Sequence, residues 1–268
     1  MCYSASMSFA LALAGALVTI ASLLDPRLRS QLVYVPFAFY TCMELLQGWQ
    51  YSHVNRCGSP ANAISTEIAY LLVIVQPLMW NAIYYYRSSA CACAYACERN
   101  LFTVGMVMGV VWIVFSVAAR LLHGVGGRSD TTADAHSYVP EQHAGAYRPG
   151  APFATSEEEA SAEGAAGCTL QATPINHLHW RWASADFSGL DANWLMYLAV
   201  WFVPALISAS QRRNALFAAS AAAIAAAVTW RTGAVAAEFS SLWCLYSVPF
   251  LVAALADAGS SKGRGRKK

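Results

Sequence analysis

Apolar residues run along this chain in long unbroken stretches, parted by short polar breaks instead of alternating with polar positions. Seven stretches approach the roughly 20 residues that a helix needs to cross the hydrocarbon core of a bilayer. They run from Ser6 to Leu24, Gln31 to Tyr51, Ile64 to Tyr86, Leu101 to Leu122, Ala192 to Ala209, Ala215 to Trp230 and Ala236 to Ala256. Asp25-Pro26 closes the first, because a residue before proline avoids the helical region. Cys57-Gly58-Ser59-Pro60 parts the second from the third, and Gln211-Arg212-Arg213-Asn214 makes a polar turn between the fifth and sixth. Continuous runs argue against a β-barrel, whose strands alternate. The first stretch is long for a leader's apolar core and no Lys or Arg precedes it, so it reads as a retained helix. The predicted fold is all-α: a polytopic bundle of seven transmembrane helices.

Between the fourth and fifth stretches the pattern dissolves. Residues 124–167 are rich in Gly, Ala, Ser and acidic side chains, including Glu157-Glu158-Glu159, and cannot bury enough apolar surface to offset chain entropy. They are expected to be a disordered loop. Residues 168–191 carry Trp180, Trp182 and Phe187 and are expected to lie along the membrane interface, where Trp is favoured. The expected organisation is helices one to four in 1–123, the loop, the interfacial segment, helices five to seven in 192–257, and a basic tail over 258–268.

Composition agrees. Of 268 residues, 57% are hydrophobic and 12% charged, about half the charge of a soluble domain. That excludes an ordinary soluble enzyme and a disordered chain. Seventeen basic residues against fifteen acidic ones, in scattered short clusters, give no stripe for tracking a nucleic acid. The clusters do set an orientation. Arg27 and Arg29, Arg87 and Arg99, Arg212 and Arg213, and the tail residues Lys262, Arg264, Arg266, Lys267 and Lys268 all fall on one side. Positive loops stay in the cytoplasm, so the amino terminus is expected outside and the carboxyl terminus inside. The lipid bilayer is the first partner, and Lys262 to Lys268 would meet anionic lipids. The plasma membrane is the default location.

Ionisable groups inside a span are functional candidates, because charging them there is costly. Glu44 and Gln47 lie one turn apart on the second helix. Glu67 and Glu238 begin the third and seventh helices on the same side, and Arg120 and Arg231 end the fourth and sixth there. Gln76-Pro77 and Asn81 form a deeper polar group on the third helix, where proline frees the carbonyl of Val73. Together they outline a polar pocket for an ion or small solute, although end-of-helix charges also sit among headgroups without any function.

Cys57 and Cys168 both fall in outward loops, where a disulfide persists. Cys91, Cys93 and Cys97 lie beside a cytoplasmic basic cluster, the setting of S-acylation. His177 and His179 share a face if extended, but two ligands do not make a zinc site. No cofactor is called for.

The only lysines are Lys262, Lys267 and Lys268, so a retinal Schiff base within the seventh helix is excluded. The third helix ends Tyr84-Tyr85-Tyr86-Arg87, without the acidic-Arg-aromatic triplet of the large receptor family. Met1-Cys2-Tyr3-Ser4 followed by Ser8, Glu44-Leu45-Leu46-Gln47, Gln76-Pro77, Asn81, and Glu238 through Trp243-Cys244 resemble an uncharacterised family of small multipass proteins of algae, other microbial eukaryotes and large DNA viruses. That resemblance implies a seven-helix membrane fold with no assigned activity. It also implies that Cys2, Glu44, Gln47, Gln76, Asn81, Glu238 and Trp243 share one core. The expected function is transport or sensing of an ion or small solute around Glu44 and Gln47. A membrane-embedded metal-dependent enzyme and a membrane scaffold are the alternatives.

Overall fold

The computed structural model of the chain describes residues 4–56, 59–89, 96–122, 168–172, 177–181 and 192–232. Among them run seven helices: α1 (Ala5–Leu24), α2 (Pro26–Ser30), α3 (Tyr34–Gln50), α4 (Pro60–Ser89), α5 (Ala96–Leu122), α6 (Ala192–Ile207) and α7 (Arg212–Thr232). Between α5 and α6 lie two antiparallel strands, β1 (Cys168–Ala172) and β2 (His177–Arg181), in register Cys168 to Arg181. Six apolar windows therefore form helices within a few residues of their expected ends. The seventh window, the loop over 124–167 and the basic tail lie outside the described residues. The described residues are mostly helical, and among them the hairpin is the departure from an all-α fold.

Local chemistry sets the helix ends. The Ser4 hydroxyl accepts the Met7 N–H at 3.2 Å and starts α1, as a short polar side chain does at an N-cap. Asp25 ends α1, and its Oδ1 accepts the Arg27 N–H at 2.8 Å to start α2. Pro26 follows at the first helical position, where no N–H is needed. Leu32 then adopts φ 53°, and the Val33 N–H turns back to the Leu28 carbonyl at 3.1 Å. The turn through Leu32 delays α3 to Tyr34, three residues beyond the start of its apolar window.

Side-chain contacts fix how the helices run. The Phe9 ring lies over Gly48, where an added Cβ would stand 2.8 Å from it, and Gly15 meets Thr41; α1 and α3 are therefore antiparallel. Tyr70 donates to the Ser116 carbonyl at 3.3 Å and Arg99 to the Tyr85 hydroxyl at 2.6 Å, so α4 and α5 are antiparallel as well. Tyr197 meets Gln76, and Asn81 meets Val200, which makes α6 parallel to α4. Trp80, Tyr84, Phe102, Tyr197, Trp201 and Phe202 fill the space between α4, α5 and α6. Trp80 stacks on Trp201 at 6.1 Å between ring centroids, and Trp201 on Phe202 at 5.0 Å.

The two ends of the bundle differ. At one end Arg87 Nε donates to the Gln31 carbonyl at 2.9 Å, and Glu98 takes the Ser210 N–H and hydroxyl at 3.2 and 2.8 Å. Those bonds gather α2, the end of α4, the start of α5 and the α6–α7 turn, with Arg27, Arg29, Arg87, Arg99, Arg212 and Arg213. The hairpin occupies the other end, beside the last residue of α3 and the first turns of α4.

Around the apolar core, large apolar side chains also stand on the surface and several polar ones are buried. Leu13, Leu17 and Leu24 of α1 and Val104, Val107, Val111 and Val114 of α5 are each more than half exposed. Ser8, Ser22, Glu44, Gln47, Gln50, Asn62, Thr66, Gln76 and Asn81 are buried. Three helical segments, Ala5–Leu24, Pro60–Ser88 and Glu98–Ala118, are long and apolar enough to cross a membrane.

At Gly105, α5 meets side chains of both α4 and α6. A Cβ there would strike the Asn81 amide and stand 3.1 Å from Pro204 Cγ. Gly105→Val is expected to cost about 1–3 kcal/mol by overpacking, read as a lower thermal midpoint in detergent. Val104→Ala, one residue away on the outward side, should change stability by no more than about 0.5 kcal/mol.

Candidate functional site

Polar side chains gather inside the bundle in three groups. The first anchors the hairpin. Asn62, in the first turn of α4, donates through Nδ2 to the His53 carbonyl at 2.7 Å and the Thr169 carbonyl at 2.9 Å, while its Oδ1 accepts the Thr169 N–H at 2.8 Å. The Thr66 hydroxyl donates to the Asn62 carbonyl at 2.8 Å and therefore accepts from the Thr169 hydroxyl at 2.6 Å. Gln50, at the end of α3, donates through Nε2 to Thr169 Oγ1 at 3.1 Å and the Ser65 carbonyl at 3.0 Å. Its Oε1 accepts the Trp180 indole N–H at 2.9 Å. Asn55, at φ 62°, adds its N–H to the Thr169 carbonyl at 3.1 Å; asparagine tolerates that left-handed backbone better than most residues. Gln50, Asn62, Thr66, Thr169 and Trp180 are all buried. Bonds in such surroundings polarise one another and fix a single geometry.

The second group joins α4 to α6. Pro204 has no N–H, so the Val200 carbonyl one turn earlier has no helical donor. Asn81 Nδ2 supplies one from α4 at 2.9 Å and also donates to the Pro77 carbonyl at 2.8 Å. Gln76 Oε1 accepts the Tyr197 hydroxyl at 2.5 Å. Gln76 Nε2 and Asn81 Oδ1 have no hydrogen-bond partner among the described residues. Asn81 and Gln76 thus fasten one proline-interrupted helix to another.

The third group lies in the seam between α1 and α3. Glu44 is 4% exposed, and Gln47, one turn on, is fully buried. The Glu44 carboxyl adjoins the Ser8 hydroxyl of α1. Neither Glu44 Oε2 nor Ser8 Oγ has a hydrogen-bond partner among the described residues. From Ala5 to Leu24, α1 carries no ionisable residue, so it brings no countercharge to that carboxyl. Glu44 sits six residues before Gln50, about 9 Å along the helix from the hairpin network.

The single pocket expected from the sequence is therefore divided. Glu44 and Gln47 belong to the α1–α3 seam, whereas Gln76 and Asn81 bond toward α6. Glu67 is half-buried on α4, two turns after a helix that starts at Pro60, earlier than its apolar window. Glu238 and Trp243 lie outside the described residues, as do Cys2, Cys57, Cys91, Cys93 and Lys262 to Lys268. Cys97 lies in α5, and His177 and His179 lie in β2 with Leu178 and Trp180 buried at the alternating positions; the side chains of those three residues lie outside the described set. Cys168 is buried and disulfide-bonded. Among the described residues, no group of three His, Cys, Asp or Glu gathers as a metal site would.

The model of a family of unknown function, DUF5765, matches residues 6–260. The chain belongs to that family. No curated protein and no solved structure matches it. The family match takes in α1 to α7 and the hairpin, and it begins after the Met1 to Ser4 opening.

Gln50, Asn62, Thr66, Thr169 and Tyr197 escaped sequence reasoning. The alternation in Thr169-Leu170-Gln171 and His177-Leu178-His179-Trp180 was the available strand signal, and it was submerged in the polar composition around it. Asn62→Ala removes four side-chain hydrogen bonds and is expected to destabilise the protein by about 2–4 kcal/mol, whereas Trp180→Phe, which removes the bond to Gln50, should cost about 1 kcal/mol. Thermal unfolding and proteolysis within 168–181 measure both, with faster cleavage expected in Asn62→Ala.

Proposed function

We propose that the protein is a multi-pass membrane protein that binds an ion or small solute at the α1–α3 seam, with Glu44 as the charged group and Gln47 beside it. The observation that carries this reading is the Glu44 carboxyl itself: nearly sealed from solvent, with one oxygen unbonded, in a helix pair whose outer face is apolar. A carboxylate in such a setting is costly, and a bound cation, proton or polar solute compensates it. The outward Leu and Val faces of α1 and α5 support contact with lipid.

The orientation follows from the two ends. Arginines at the end bearing α2 and the α6–α7 turn support a cytoplasmic position for it. At the opposite end we assign Cys57 as the disulfide partner of Cys168. Asn55 is bonded to Thr169, the neighbour of Cys168, and two further residues reach about 7 Å. A disulfide supports an oxidising, extracytoplasmic environment for the hairpin end. Both ends agree with an outside amino terminus, and Glu44 then lies nearer the outer side.

Two measurements test this. In reconstituted vesicles, Glu44→Gln should abolish uptake or binding of the transported species at least tenfold, while folding and insertion are retained; unchanged behaviour would remove Glu44 from the mechanism. With Cys2, Cys42, Cys91, Cys93, Cys97 and Cys244 all replaced by Ser as background, an impermeant maleimide on intact cells should label Ser52→Cys and spare Ser30→Cys. The reverse pattern overturns the orientation.

A further inference from the structure

Ser8 was not among the residues singled out for the pocket, yet it faces the one deeply buried carboxyl of α3. Its side chain is fully buried, and its hydroxyl, like Glu44 Oε2, lacks a hydrogen-bond partner among the described residues. A hydroxyl and a carboxyl that adjoin in a dry seam, each with unused hydrogen-bonding capacity, are complementary once a proton is added. The hydroxyl offers both a donor and an acceptor. An ionised carboxyl accepts only, and a protonated one also donates.

We infer that Glu44 and Ser8 together form a proton-binding site, in which Glu44 takes up one proton and the Ser8 hydroxyl pairs with the carboxyl in both states. This rests on the assignment of Glu44 as the working group of the seam and names its ligand. The step is simple: a hydronium at the outer side gives its proton to a Glu44 oxygen, an O–H bond forms, the carboxyl becomes neutral, and water is left. Release reverses it, and nothing is oxidised or reduced.

The surroundings favour a proton over a metal ion. Calcium takes six to eight oxygens and magnesium a near-ideal octahedron, whereas among the described residues the Glu44 carboxyl has the Ser8 hydroxyl beside it and the amide of Gln47 a turn away. A divalent ion would also leave one positive charge uncompensated beside a single carboxylate. The titratable neighbours are few. From Ala5 to Leu24, α1 brings none. On α3 itself Tyr40 is buried one turn earlier and Cys42 is exposed. On α4 the nearest in sequence are Glu67 and Tyr70, both half-buried.

Infrared difference spectra of the full chain in lipid nanodiscs, recorded over a series of pH steps, test the site. One carboxylic-acid carbonyl band should grow on acidification, shift on labelling Glu with carbon-13, and vanish in Glu44→Gln. Ser8→Ala should displace its midpoint by about one pH unit, the difference between a hydrogen bond to a charged and to a neutral carboxyl, and Ser8→Thr, which keeps the hydroxyl, should restore it. A band that is absent, or fails to titrate wherever the protein stays folded, overturns the proposal. So does a midpoint that moves when sodium replaces potassium, since a metal ion would then occupy the site. An unchanged midpoint in Ser8→Ala overturns the pairing. Vesicle flux separates this inference from the broader reading: titration without Glu44-dependent flux sinks transport alone, and flux without titration sinks the proton site alone.

Discussion

Hydrogen bonds between segments, more than apolar packing, define how this chain is assembled. Its outward faces are Leu and Val, and in a lipid environment burying more of the same gains little over leaving it among acyl chains. Specific geometry then comes from polar groups that must find partners inside. The clearest case is the Val200 carbonyl, opened by Pro204 and closed by Asn81 of another helix at 2.9 Å. Gly105 makes that approach feasible, because its missing side chain leaves room for the Asn81 amide and the Pro204 ring. A proline, an asparagine and a glycine on three different helices are thus one structural device.

The same logic organises the hairpin end. A two-stranded ribbon of five-residue strands is marginal by itself. Here it is held by Thr169, whose N–H, carbonyl and hydroxyl are all bonded to α3, α4 or the turn between them. Trp180 adds a large buried ring and one bond to Gln50. A disulfide at Cys168 then reinforces contacts that already exist, so the crosslink and the polar network act on the same few residues. Such a bonded end contrasts with the α1–α3 seam about two turns below it, where Glu44 and Ser8 are buried with capacity unspent. Among the described residues, buried polar side chains such as Asn62 and Thr169 are therefore consumed by structure, while Glu44 and Ser8, like Gln76 and Asn81, each keep an unbonded atom. The proposed function is built on the Glu44 carboxyl.

Family membership extends from residue 6 to residue 260, and so covers all of these side chains. It supplies no activity, which leaves the chemistry of the seam as the guide. On the proposed reading, a single carboxyl that faces no ionisable residue of Ala5–Leu24 is a simple site, suited to one charge at a time.

Much of the helical layout was legible in the sequence. Apolar runs of the right length located six of the helices, because a long continuous apolar run favours a helix over an alternating strand. The spacing of Glu44 and Gln47 put them on one face of α3, since 3.6 residues per turn fixes that locally. The depth of Glu44 in its run marked it as costly to bury. Partners were another matter. Asn81 and Gln76 read as the floor of a pocket, because nothing in their own helix says that Pro204 will expose a carbonyl opposite. Thr169 and Trp180 read as interfacial, because a strand of five residues takes its burial from what it docks against. Ser8 gained its meaning only when α1 lay antiparallel on α3. Length, polarity and periodicity are properties of a segment and can be read from it; the closing of a hydrogen bond between segments 100 residues apart requires the fold, because only the fold brings donor and acceptor within about 3 Å.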